Sequence, residues 1–224
     1  MNAPTDRSPP PPPPGASIFY HADQARANPD AHARLLAAGR AAFAQHGFDG
    51  ASVRDITTAA DVNLGAITYH FGSKDALYAQ VLMSLVGPLG ARVRWAMHAK
   101  VPPLDRIDRT VRAFFEHIRT HPEMPAIMVR EMASGREIAE PILTMMRATI
   151  PLVAGVIEEG QQDGSIRAGD PVLLTLSTFA QPVYLNLARP ALAAVAGLDL
   201  ADADAFARVV DHAALTVRRA LEAR

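Results

Sequence analysis

LLAAGRAAFAQHGFDGASVRDITTAADVNLGAITYHFGSKDALY, residues Leu35 to Tyr78, spells out a succession of helix starts and stops. A first helix is expected to open just upstream at Asn28-Pro29-Asp30. Asn is a good N-cap, Pro suits the first helical position because the N–H it lacks is unbonded there anyway, and Asp complements the helix dipole. Leu35, Leu36, Gly39, Ala42 and Phe43 share one face of this helix, which is expected to span Asp30 to His46 and stop at Gly47. Ser52-Val53-Arg54-Asp55 reads as a capping box, in which the serine oxygen and the acid three residues later each satisfy a free backbone amide. A short second helix follows, over Val53 to Ala60, and Asp61 marks a tight turn because Asp tolerates left-handed backbone better than most residues. A third helix is expected from Leu64 to His70. Gly72-Ser73 ends it and caps a fourth, with Asp75 in the first turn and a stop or kink at Gly87-Pro88.

Outward from this block, residues 1–27 are rich in Pro, Ala and polar residues, with six consecutive prolines from Pro9 to Pro14. They are expected to be a mobile tail with a polyproline II stretch at its centre. Beyond Pro88, prolines punctuate a chain that otherwise has helical periodicity throughout. Ile107, Val111, Phe114, Phe115 and Ile118 recur at helical spacing, and so do Val172, Leu176, Phe179, Val183 and Leu187. Phe206, Val209, Val210, Ala213, Ala214, Val217, Ala220 and Leu221 form a stripe on a final helix. The expectation is an all-α protein of about nine helices without internal repeats.

Composition narrows the function classes. Hydrophobic residues make up 49% of the chain and mean hydropathy is +0.06, enough for a core. The longest apolar run, ALYAQVLMSLVGPLGA from Ala76, is broken by Gln80, Ser84 and Pro88, so no membrane span is expected. The N-terminus has neither the apolar core nor the charged flank of a secretory signal, and a cytoplasmic location is expected. Cysteine is absent, which excludes disulfides, thiolate nucleophiles and cysteine zinc sites. The net charge of -1 gives no overall basic footprint for nucleic acid.

Two short helices joined by a tight turn are the ingredients of a helix-turn-helix, whose second helix enters the major groove of DNA. Many helical bundles contain such a pair, and the composition of NLGAITYHF, residues 63–71, sharpens the reading. Gly65 and Ala66 are small enough for close backbone approach. Asn63, Thr68, Tyr69 and His70 carry groups that bond base edges or phosphates, and the core stripe is only Ile67 and Phe71.

In order and spacing, Leu35 to Tyr78 closely resembles the DNA-binding domain of the tetracycline-repressor (TetR) family. A helix ending FAQHGFDG, the SVRDI second helix, a recognition helix ending YHF and the GSKDAL opening of the next helix carry the likeness. The resemblance implies a helix-turn-helix domain at 28–78 and a helical ligand-binding and dimerisation domain at 79–224. It implies a homodimer through the last two helices, a double-stranded DNA operator, a small-molecule effector, and no cofactor. Carried over by position, it makes Asn63, Gly65, Ala66 and Tyr69 groove-facing, and Ser52, Arg54, Tyr69, His70 and Lys74 phosphate anchors. Two positions depart from the family pattern: Leu64 and Thr68 stand where Lys and Tyr are common, so Thr68 offers a shorter reach and Leu64 packs against either a thymine methyl or the core. Residues 30–80 hold four basic side chains (Arg34, Arg40, Arg54, Lys74) against five acids, so binding must rest on local placement.

Each residue also has a plainer role. Asn63 can be a helix cap, Tyr69 and His70 packing groups, Arg54 and Lys74 solvated charges. For the effector, an adaptable apolar pocket lined by some of Trp95, Phe114, Phe115, Met124, Met128, Met132, Met145, Phe179 and Tyr184 is expected, against core packing as the alternative. His117 and His121 lie four apart with Glu116 beside them, a spacing that can hold a metal, but no third ligand is visible nearby and no metal site is expected. There is no G-x-S-x-G, and GSK at Gly72 lacks the upstream glycine of a phosphate loop, so an enzyme is not expected.

Overall fold

A computed structural model describes residues 29–223; the Asn28 cap and the Pro-rich segment lie outside the described residues. Ten helices occur among them: α1 (Pro29–Gly50), α2 (Val53–Ala59), α3 (Ala66–Phe71), α4 (Lys74–Met97), α5 (Pro103–Thr120), α6 (Met124–Ala133), α7 (Glu140–Gln162), α8 (Pro171–Leu187), α9 (Arg189–Ala196) and α10 (Ala203–Leu221). The helix beyond the expected nine is α9, which begins with a proline in its first turn, ends at left-handed Gly197 and buries no residue. A helix without a buried face leaves no apolar stripe to find in the sequence.

The head is built by local chemistry. Gly47 breaks α1 with φ 70° and ψ −178°, a conformation open to glycine and strained for other residues. Ser52 caps α2: its Oγ accepts from the Asp55 amide at 3.0 Å. The acid closes the box differently from the expected pattern, since Asp55 Oδ2 takes the serine hydroxyl at 2.6 Å. Asp61 turns the chain with φ 51°, and the Val62 amide reaches back to the Thr57 carbonyl at 3.0 Å. Asn63 to Gly65 remain in the turn, with Ala66 N–H donating to the Asn63 carbonyl at 3.0 Å, so α3 starts two residues later than the expected Leu64.

α4 does not stop at Gly87-Pro88 but runs to Met97, through the expected domain boundary at 78/79 as well. Proline removes one amide and crowds the preceding turn. Here Gly87 and Pro88 face solvent, while Leu85, Val86, Leu89 and Gly90 are buried against α5 and α7, and that packing holds the helix continuous. By length and composition α4 and α7 could cross a membrane; the residues that make α4 apolar are packed as core against α1, α5 and α7.

The stripe on α10 is buried within the same chain. Phe206, Val209, Val210, Ala213, Ala214, Val217 and Leu221 pack on α5, with Phe206 edge-on to Phe115 at 6.3 Å. Arg218 to Asp105 and Arg112 to Asp211, at 2.7 and 2.6 Å, close the rim of that contact. The stripe is therefore core of the same chain and offers no open apolar surface to a second subunit. The apolar face left open is on α8, where Leu173, Leu176, Val183, Tyr184 and Leu187 follow helical spacing and are exposed.

Candidate nucleic-acid interface and interior cavity

Within α3, a helix of barely two turns, residues 66, 67, 70 and 71 share the inward face and pack against α1, α2 and α4. Ala66 is 8% exposed and His70 3%, so the expected groove-facing role of Ala66 and phosphate role of His70 are corrected: both belong to the head's core. The His70 ring lies edge-on to Tyr69 at 4.9 Å, and burial, with nearby His32 adding to it, lowers its pKa and favours the neutral form. What remains outward is Asn63, Gly65 and Thr68, all exposed, with Tyr69 half-buried.

Leu64 is exposed as well, at 61%, so its apolar side chain faces outward and is not part of the core. Ser52 and Arg54 are exposed at the start of α2. Lys74, half-buried at the start of α4, holds its Nζ 4.4 Å from the centre of the Phe48 ring near the end of α1, a cation–π contact that orients the charge.

The second feature is a cavity of about 230 Å³ among α4, α5, α6, α7 and α8. Six of the residues expected at an effector pocket line it: Phe114, Met124, Met128, Met132, Met145 and Phe179. Three do not. Phe115 is fully buried against Phe206, Tyr184 is exposed on α8, and Trp95 is exposed beside Arg94, His98, Lys100 and Arg109 in a shallow surface basin. An aromatic in an amphipathic helix can point inward, sideways or out, and residue type alone does not say which. Among the lining residues not anticipated, Leu89 and Val93 come from α4, Met146, Thr149 and Ile150 from α7, and Leu176 and Val183 from α8. Their signal was present at α7, where 142, 145, 146, 149 and 150 repeat at helical spacing.

α6 connects the two features. Its Met124, Met128, Val129 and Met132 line the cavity. Its Glu131, 2% exposed, accepts a hydrogen bond from Tyr78 Oη at 2.7 Å and another from the Ala139 amide at 2.8 Å. Burial and the adjacent Glu131 carboxylate raise the Tyr78 pKa, keeping its hydroxyl a donor. Arg130 Nε donates to the Ala44 carbonyl of α1 at 3.1 Å, a second link from α6 to the head.

His117 and His121 stack at 4.3 Å, and His117 Nε2 donates to the Leu85 carbonyl at 2.8 Å. Burial, with His121 and Arg92 contributing, pushes the His117 pKa down to about 4, so the ring is a neutral packing group. Among the described residues no three His, Cys, Asp or Glu side chains are grouped to hold a metal.

A three-helix head with an outward second helix of its turn pair, carried on a helical body, defines a helix-turn-helix DNA-binding protein. Residues 35–81 match the model described as bacterial regulatory proteins, tetR family, and residues 103–217 match the tetracyclin repressor-like C-terminal domain. The chain belongs to the tetR family and is a transcriptional regulator, not an enzyme. It is 27% identical over 179 residues to the HTH-type transcriptional regulator RutR of Escherichia coli K12, covering 80% of this chain and 84% of RutR. It is 29% identical over 135 residues to the HTH-type transcriptional repressor DhaR of Mycobacterium sp. GP1, covering 59% of this chain and 68% of DhaR. In fold it is similar to the ketosteroid transcriptional regulator KstR2 of Mycobacterium tuberculosis, with a TM-score of 0.71 and 20% identity over 86% of this chain and 95% of that one.

Proposed function

We propose that the protein acts in the cytoplasm as a homodimeric repressor that grips a palindromic operator and is released when a small molecule enters the cavity of its body. The observation that carries this reading is the outward row of Asn63, Leu64, Gly65 and Thr68, flanked by Ser52, Arg54 and Lys74. Side chains that bond base edges sit centrally, and those that bond phosphates sit at the flanks, as a groove-reading surface needs. Arg54 and Lys74 supply the local charge that the acidic head lacks overall.

The exposed apolar face of α8 supports pairing of two copies about a twofold axis, with the other half of a four-helix contact drawn from the outer side of α10, where Leu215 is exposed. Twofold symmetry then sets operator half-sites roughly 34 to 36 Å apart, one helical turn. The test is fluorescence anisotropy of the purified protein with the DNA upstream of its own gene, over a range of salt. Saturable binding that exceeds random DNA and weakens with salt supports the reading. Binding indistinguishable from random DNA would leave a helical interaction module instead.

A further inference from the structure

We propose that the cavity selects an uncharged, hydrocarbon-rich molecule and rejects the ionised analogue of the same shape; this rests on the reading of the chain as a ligand-responsive regulator. The wall carries no Lys, Arg, His, Asp or Glu among its lining residues, and its single polar side chain is Thr149. That hydroxyl is already engaged, donating to the Met145 carbonyl at 2.8 Å, so no side-chain donor is left over for a carboxylate or phosphate. Of the ionisable groups near it, Arg94 is exposed in the surface basin beside Trp95 and does not line the wall, and two others are committed elsewhere. Glu131 projects from α6 to Tyr78 and the Ala139 amide, and His117 turns Nε2 to the Leu85 carbonyl and stays neutral through most of the pH range.

An anion placed here would lose its water and gain no partner, whereas an apolar molecule loses nothing and gains contact with flexible methionines and with Phe114 and Phe179. The volume of about 230 Å³ lies below the roughly 300 to 1,000 Å³ of sites for drug-sized ligands, which points to a small molecule of up to three rings or a short chain. Entry is apolar too: Val129 and Met132 of α6 line the cavity and are also exposed, marking where it reaches the surface.

The experiment uses the full chain and the neutral fluorophore phenyl-naphthylamine, with two matched competitor pairs: naphthalene against naphthoate, and octanol against octanoate, at neutral pH. Fluorescence should rise on mixing, naphthalene and octanol should displace the probe, and the two anions should be weaker by about a hundredfold or more. Met145→Trp together with Val93→Trp, which adds two large apolar side chains to the α7 and α4 walls, should abolish the rise. Displacement by the anions at the same concentration as the neutral partners overturns the proposal. So does probe fluorescence that persists in the folded double variant, because the probe then sits outside the cavity, and so does a complete lack of probe binding. DNA anisotropy on the same samples separates the two readings. Neutral-selective binding without any change in DNA affinity removes the regulatory link and leaves the chemistry of the cavity standing; anion-selective binding with DNA release does the reverse.

Discussion

Tyr78 Oη and Glu131 Oε2 meet at 2.7 Å, joining the first turns of α4, at the DNA-binding head, to the helix that walls the cavity. Removing the tyrosine hydroxyl leaves a buried carboxylate held by one backbone amide. Tyr78→Phe is expected to destabilise the fold by about 1 to 3 kcal/mol, read as a lower midpoint in urea. The same variant should weaken the effect of a cavity ligand on DNA affinity, because coupling requires a contact that differs between two states. An unchanged midpoint together with unchanged coupling would place no weight on this contact.

Asn63 and Lys74 should respond differently to sequence and salt. Asn63→Ala is expected to cost about 1 to 3 kcal/mol per half-site on the cognate operator and little on random DNA. Lys74→Ala should weaken both alike and lower the slope of log K against log salt by about 0.9 per lost contact, roughly doubled in a dimer. Anisotropy at several salt concentrations reads both. Equal losses on every sequence for Asn63→Ala, with an unchanged slope for Lys74→Ala, would mean that α3 meets DNA by another face.

The two apolar faces near the C-terminus separate under substitution. Tyr184→Glu, on the open face of α8, should leave the fold intact and shift sedimentation from dimer to monomer. Val210→Asp, inside the contact of α10 with α5, should instead unfold the body, because it buries an unpaired charge. A monomeric parent that still binds its operator tightly would contradict the dimer.

His117 gives the fold an acid dependence of definite sign. Its pKa is about 4 in the folded protein against about 6.5 for a free imidazole, so the unfolded chain binds a proton that the native ring refuses. Stability is therefore full above pH 6.5 and falls through the interval down to about 4, with a slope of up to about 1.4 kcal/mol per pH unit from this group. His117→Gln keeps a donor for the Leu85 carbonyl without titrating. Urea midpoints of the two proteins should converge as pH falls; parallel curves would assign the acid sensitivity elsewhere.

The head was legible because its signals are local. A capping serine, a left-handed Asp61 and a glycine stop each act within four residues, and the structure keeps all three. Ala66 and His70 were misplaced because the residue types suit DNA contact, whereas the phase of a helix barely two turns long turns both inward. At Pro88 the opposite holds for the stop: a strong local rule gave way to burial of Leu85, Val86 and Leu89 on either side, and the helix continues. The destination of the α10 stripe was not legible at all, because an amphipathic helix has the same pattern whether its partner is α5 or a second chain. In the cavity, composition foretold methionine and aromatic walls, while Trp95 and Tyr184 needed the helix phase to be known.

Five of the eight methionines in the chain, Met124, Met128, Met132, Met145 and Met146, surround the cavity, and Met132 is 61% exposed at its edge. Peroxide converts a thioether to a sulfoxide, which replaces a soft apolar surface with a strong hydrogen-bond acceptor. Oxidation would begin at Met132 and proceed inward, turning a dry wall wet one sulfur at a time. The regulator would then lose sensitivity to its ligand under oxidative stress while its head, which has no methionine or cysteine between Ser52 and Lys74, stayed chemically intact there. Methionine sulfoxide reductases would restore the original response.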